Sequence, residues 1–201
     1  MLVDVFSIAK QSTTSEAFCA LQEAWDAMRG GNRTETLQLA YITNNPHPLG
    51  SKDALDRSPG PLTYNSVHER YHGMFREIVR TQGYYDLFLI NPDGDCIYTV
   101  FKELDFGTNL LSGKWASSGL AKAFRAALAA PDLVHKVDFE PYAPSQGSLA
   151  SFVCTGVRGS AGVLRGVLGL QVPFDFTVQV DENGELLESC VTFEHSSALR
   201  E

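Results

Sequence analysis

The chain has 201 residues, 44% of them hydrophobic and 20% charged, a globular composition with enough apolar material for a proper core. Sixteen basic against 24 acidic residues leave a net charge of −8, which repels phosphate backbones and speaks against a nucleic-acid partner. No apolar run approaches the roughly 20 residues of a membrane span, and the first residues lack the basic and apolar regions of a signal peptide, so a cytosolic chain or a soluble piece of something larger is expected.

In chain order, Val5, Ile8, Phe18, Leu21, Trp25 and Met28 recur at helical spacing, with a polar break over 11–15 and a stop at Gly30-Gly31. This stripe suits either a seam between two copies or docking on the chain's own sheet. A second short helix is predicted over 34–43, and the turn-rich stretch 46–61 reads as a surface loop. Helical character returns over 66–82, with Val67, Tyr71, Met74, Phe75 and Ile78 on one face and Gly83 as the stop. YYDLFLIN (84–91) and DCIYTVFK (95–102) flank Pro92-Asp93-Gly94, a hairpin signal. An irregular stretch leads to a helix over 119–128, then strands over 134–139, 148–157 and 162–172. The tail offers a further hairpin around Asn183-Gly184. This order predicts an α+β fold: a PAS-like antiparallel sheet of five to six strands, a long N-terminal helix, and helices on one face, with a pocket between sheet and helix.

His68-Glu69-Arg70-Tyr71-His72 is a literal HExxH on a predicted helix, the pattern in which two imidazoles bind zinc and the glutamate serves as general base. A zinc metallopeptidase is therefore one alternative reading, and a stand-alone soluble dimerisation module is the other. The peptidase needs a third ligand, which no recognisable position supplies, and the histidines can instead hydrogen-bond the neighbouring loop or cap the sheet edge. Cys19, Cys96, Cys154 and Cys190 are far apart with no CxxC, so neither a structural zinc nor any other cofactor is expected. The carboxylates Glu103, Asp105, Asp138 and Glu140 near strand ends, and Ser145 without a nucleophile elbow, do not build a catalytic pair or triad. A non-catalytic chain follows.

The more coherent cluster is aromatic and polar: Tyr98, Lys102, Asp105, Asn109, Trp115, Asp138, Tyr142, Ser145, Phe152 and Thr155. Apolar walls with a few convergent polar groups are the makings of a small-molecule pocket. Lys102 and Asp138 would suit a ligand with a carboxylate and an amine. Alternation along 148–157 puts Phe152 and Thr155 on opposite faces, which leaves Tyr98, Lys102, Trp115, Asp138 and Tyr142 as the centre and Ser145, Phe152 and Thr155 at the periphery.

The segments YYDLFLI, VFKELDFGTNL and DFEPYAPS, with GVLRGVLGLQVP beyond them and NNPHPLGSKDALD upstream, resemble the Cache-type sensor domain. These PAS-like extracytoplasmic regions belong to bacterial methyl-accepting chemotaxis proteins, histidine kinases and nucleotide cyclases. The resemblance implies a helical segment over 1–45, a ligand-binding domain over 46–175 and a tail over 176–201. It also implies a periplasmic portion of an inner-membrane receptor (cytoplasmic if the chain stands alone), anchored only by other parts of that receptor. Its partner would be a small polar metabolite, an amino acid or an organic acid, with homodimerisation expected. Of the arginine–tryptophan–tyrosine cluster of amino-acid-binding members, only Trp115 is matched, in Lys114-Trp115-Ala116.

Overall fold

A computed structural model of the protein describes residues 2–174. The leading helix breaks where its polar interruption begins: α1 (Leu2–Lys10) and α2 (Ser12–Ala27) are separated by Gln11, whose backbone is extended at φ −65° and ψ 136°. Val5, Ile8, Phe18, Leu21 and Trp25 are all buried. Helix α1 packs on strand residues of the chain's own sheet and α2 on the later helix. Of the two expectations for the stripe, docking on its own sheet is the one realised, and a homodimer seam would need another surface.

Asn32 caps α3 (Arg33–Gln38), its side chain accepting the Glu35 amide at 3.1 Å. The helix then widens into a π-helical turn over Leu39–Thr43 that buries Tyr41. Helix α4 (Thr63–Gln82) ends at Gly83, whose left-handed φ of 71° lets its amide reach back to the Val79 carbonyl.

Five strands follow: β1 (Asp86–Ile90), β2 (Cys96–Thr99), then α5 (Gly119–Ala129), β3 (His135–Tyr142), β4 (Ser148–Arg158) and β5 (Leu164–Pro173). Every pairing is antiparallel and the spatial order is β2-β1-β5-β4-β3, so the α+β expectation holds. Gly94 closes the first hairpin at φ 90°. Strand β2 is shorter than the alternation suggests. The Asp86 carboxylate draws the amides of Val100 and Phe101 at 2.8 and 2.9 Å, and the chain leaves the ladder there. The tail and its hairpin around Asn183-Gly184 lie outside the described residues.

The helices cover both faces of the sheet rather than one. Leu87, Leu89, Val153, Leu168 and Leu170 pack with α1, α2 and α4. Their alternates Phe88, Ile90, Phe152, Cys154 and Val167 pack with Leu120, Phe124 and Ala127 of α5. The near-continuous apolar runs of the strands are the reason: buried on both faces, they need two layers. Helices 2–27 share the first of these layers with α4 and the sheet, so one core spans residues on both sides of position 45.

Close approach at Gly166 joins the layers. A Cβ there would lie 2.3 Å from both the Ile90 carbonyl oxygen and Cζ of Phe18. Gly166→Ala is expected to lower unfolding stability by about 2–3 kcal/mol through overpacking. Urea unfolding checks this, and an unchanged midpoint would contradict the packing described.

Candidate functional site

On the α5 face, where β1 and β5 begin to diverge from the irregular stretch 100–118, lies a buried polar cluster. Asp86 and Gln171 are register partners across β1 and β5 and share the parity of Phe88 and Gly169, which directs both to this face. Asp86 Oδ1 accepts the amides of Leu87, Val100 and Phe101 at 2.7, 2.8 and 2.9 Å. Asp105 Oδ2 accepts the Tyr142 hydroxyl at 2.6 Å. Glu103 accepts the Tyr85 hydroxyl at 2.8 Å and the Ser145 hydroxyl at 2.6 Å, and the Gln171 amide donates to Ser145 Oγ at 3.1 Å. Three acceptors in this network are buried with no partner: Asp86 Oδ2, Asp105 Oδ1 and Gln171 Oε1.

Burial dominates the acid–base behaviour. It lifts Asp86 well above the usual carboxylate range, with Asp105 adding repulsion. It raises Glu103 to about 7 and Asp105 to about 6. For Glu103 the folded pKa lies above the unfolded one, so its contribution to stability is whole below pH 4.5 and is lost as pH rises to about 7. Removing that titration in Glu103→Gln should flatten the pH dependence of unfolding by about 2–3 kcal/mol across this window. Denaturation of both proteins from pH 4.5 to 7.5 measures it, since contributions common to both cancel in the difference. Parallel curves would contradict a buried, titrating Glu103.

Lys102 takes a different direction. Its backbone is left-handed at φ 62°, and its ammonium donates to the Thr99 carbonyl. The ammonium sits over the rings of Tyr98 at 4.4 Å, Phe106 at 5.1 Å and Tyr41 at 5.8 Å, and burial brings its pKa down to about 7. Tyr98 lies on the face of α4, the opposite side from Tyr142 and Phe152.

The HExxH histidines belong to this second layer. His72 donates from Nε2 to the Asp53 carbonyl at 2.7 Å and accepts the Tyr98 hydroxyl on Nδ1 at 2.6 Å, a neutral tautomer with both nitrogens engaged. His68 donates from Nδ1 to the Asp56 carbonyl at 2.7 Å and stacks on His72 with ring centroids 4.2 Å apart. Burial depresses both, His72 to about 2. Glu69 points away to Arg57 at 2.8 Å. The pair ties the 46–61 loop to α4, one of the two structural uses anticipated for it. Among the described residues no group of three or more His, Cys, Asp or Glu side chains is placed to hold a metal.

The expected pocket residues therefore divide. Asp105, Tyr142, Ser145 and Phe152 meet on the α5 face. Trp115 is half-buried against the same layer and donates from Nε1 to the Leu104 carbonyl at 3.2 Å. Tyr98 and the Lys102 side chain belong to the other layer. Thr155 also faces away, donating to the Leu133 carbonyl at 3.0 Å. Asp138 is exposed and accepts only the Phe139 amide next to it. A register shift between Val137 and Glu140 turns it out of the edge strand, so Lys102 and Asp138 do not face a common ligand. Asn109 stays in the first hairpin, bonded to Asp95 at 2.9 Å.

Asp86, Gln171 and Tyr85 were missed. The signal was present: Asp86 and Gln171 sit at inward positions of otherwise apolar strands, where a polar side chain has to find a buried partner. Glu103 stands out in the sequence as a carboxylate near a strand end, with nothing beside it that marks it as a member of this network.

No family model matches the chain, and no curated protein matches it. Among solved structures it is similar to the sensor domain of the V. cholerae histidine kinase DctB, at 15% identity and a TM-score of 0.42 over 80% of this chain and 57% of that one. It is similar to the ligand-binding domain of the Pseudomonas aeruginosa PAO1 amino acid chemoreceptor PctC in complex with GABA, at 13% identity and 0.33 over 81% and 61%. A third is the ligand-binding domain of the Campylobacter jejuni chemoreceptor Tlp3 in complex with L-norvaline, at 14% identity and 0.40 over 85% and 60%. The chain thus spans 57–61% of the length of these structures.

Proposed function

We propose that the protein is a non-catalytic sensor module that binds a small metabolite through a primary ammonium group at the Asp86–Asp105–Gln171 cluster. The observation that carries this reading is the set of three buried oxygens without a donor. An unsatisfied buried acceptor costs about 1–3 kcal/mol, and a single ammonium brings three donors. Of the two ligand classes suggested by the resemblance, an amino acid or other amine fits better than an organic acid. A ligand carboxylate would be a fourth beside Asp86, Glu103 and Asp105, while the Lys102 ammonium, which acts on Asp86 and Asp105 only through space, donates to the Thr99 carbonyl and lies over aromatic rings in the other layer.

Residues 100–118 run over this end of the sheet without a helix or strand and are the segment that has to move for a ligand to enter. Helices α1 and α2 lie on the opposite face of the same strands and are the route by which a change at the cluster leaves the domain. In this reading the module serves an extracytoplasmic receptor. No described helix is long and apolar enough to cross a membrane, so the anchor would be contributed by other parts of that receptor.

A thermal-shift screen of free amino acids and biogenic amines against their N-acetyl derivatives tests the proposal. A free amine should raise the apparent melting temperature where its acetylated form does not. Asp86→Asn keeps the Oδ1 acceptor but replaces Oδ2 by a donor, and should weaken that ligand about ten- to a hundredfold. Stabilisation by carboxylates without an amine, unchanged in Asp86→Asn, would overturn it.

A further inference from the structure

A cleft of about 640 Å³ opens on the other side of the molecule, between the start of α2, the middle of α4 and the β4–β5 turn. None of the residues of the acidic cluster lines it. In a chain of net charge −8, its walls carry Lys10, Arg70, Arg158 and Arg165 against Glu16 and Glu23.

Two of these cations are unusual in this molecule. Arg29, Arg33, Arg57, Arg76, Arg80, Arg125 and Arg158 each hold a carboxylate or a backbone carbonyl. Among the described residues, Arg70 and Arg165 are the arginines that hold neither, and both face the cleft. Lys10 likewise has no carboxylate within ion-pair distance; its ammonium lies 3.9 Å over the Phe6 ring. The Arg70 guanidinium lies 5.0 Å over the Tyr71 ring, and among the described residues neither Glu16 nor Glu23, which share the same walls, forms an ion pair with these cations.

The cleft is also shaped around one of them. The Arg165 guanidinium lies against Gly159, where an added Cβ would come within 2.7 Å of its Nε. Arg158 is fixed as part of the wall, its Nε and Nη2 on the Asp132 carboxylate at 2.8 and 2.9 Å and its Nη1 on the Gly162 carbonyl at 2.7 Å. The hydroxyls of Ser12 and Ser15 complete the lining beside Lys10.

We propose that this cleft is a second binding site, for the oxyanion group of a small metabolite, held by Arg165, Arg70 and Lys10. The volume suits a small organic molecule. The two glutamates restrict the ligand to one anionic group and disfavour a polyanion.

Sodium phosphate and sodium acetate titrated separately into the full chain, with chloride holding ionic strength constant and amide chemical shifts as the readout, test the site. Saturable shifts confined to residues near 10–19, 70–71 and 158–165 are expected, from phosphate if the ligand is a phosphoester and from acetate if it is a carboxylate. Arg165→Gln or Arg70→Gln should weaken that binding about tenfold. Gly159→Ala, which keeps every charge but displaces the Arg165 head, should weaken it too. Lys136→Gln, an exposed charge loss on β3, and Asp86→Asn should leave it unchanged. Non-saturable shifts with both anions, or an equal loss in Lys136→Gln and Arg165→Gln, would overturn the proposal.

Discussion

Replacing Asp86 by alanine is expected to destabilise the fold by about 3–5 kcal/mol, while Asp86→Asn costs far less. The difference follows from what each variant leaves behind. Alanine takes the shared Oδ1 acceptor from three amides in a buried site: those of Leu87 and Phe101 lose it outright, while that of Val100 keeps its bond to the Leu87 carbonyl at 3.1 Å. It also removes the group that ends β2 and starts the excursion over residues 100–118. Asparagine retains the acceptor and relieves the repulsion from Asp105 that helps raise the Asp86 pKa. Chemical denaturation of the two variants beside the wild type measures this. Equal losses in both would show that the carboxylate charge, not the amide cradle, is what the fold requires.

His72→Ala is the second large effect, with an expected loss of about 3–4 kcal/mol. The imidazole spans the Asp53 carbonyl and the Tyr98 hydroxyl, so its removal opens a cavity, takes the acceptor from the buried Tyr98 hydroxyl and leaves Arg76 as the side-chain donor to the Asp53 carbonyl. Asp53 is also where Arg76 and Arg80 anchor the loop, at 2.7 and 3.0 Å, so that loop should loosen locally before global unfolding. The pH dependence has the opposite sign to that of Glu103. The folded pKa of His72, about 2, lies below the unfolded 6.5, so its contribution is whole above pH 6.5 and is lost as pH falls. A chelator should leave the wild-type melting temperature where it is. A chelator-induced drop matching that of His72→Ala would revive the zinc reading of the HExxH pattern.

Most of the architecture was legible because it rests on local chemistry. Gly83 supplies a left-handed cap and Gly94 closes a hairpin, and each marks an element boundary from sequence; the long N-terminal helix expected from the apolar stripe is instead two helices broken at Gln11. Tyr142, Ser145 and Asp105 were legible as site residues for a similar reason, polar groups bordering apolar strands. What did not carry was side-chain direction across irregular backbone. Alternation fails between Thr99 and Gly119, so nothing in the sequence tells that Lys102, in a left-handed backbone, turns toward Tyr41 and Tyr98 rather than Tyr142. A bulge in β3 similarly rotates Asp138 into solvent. Asp86 and Gln171 become a pair only through the β1–β5 register, which joins residues 85 positions apart.

The most direct measurement is a crystal structure of the full chain with the best amine found in the thermal-shift screen. Its ammonium nitrogen is expected about 2.7–3.2 Å from Asp86 Oδ2 and Asp105 Oδ1, with Gln171 Oε1 as a third acceptor and residues 100–118 closed over it. An amine seated elsewhere, with those three oxygens still lacking a donor from it, would contradict the assignment of this cluster as the ligand site.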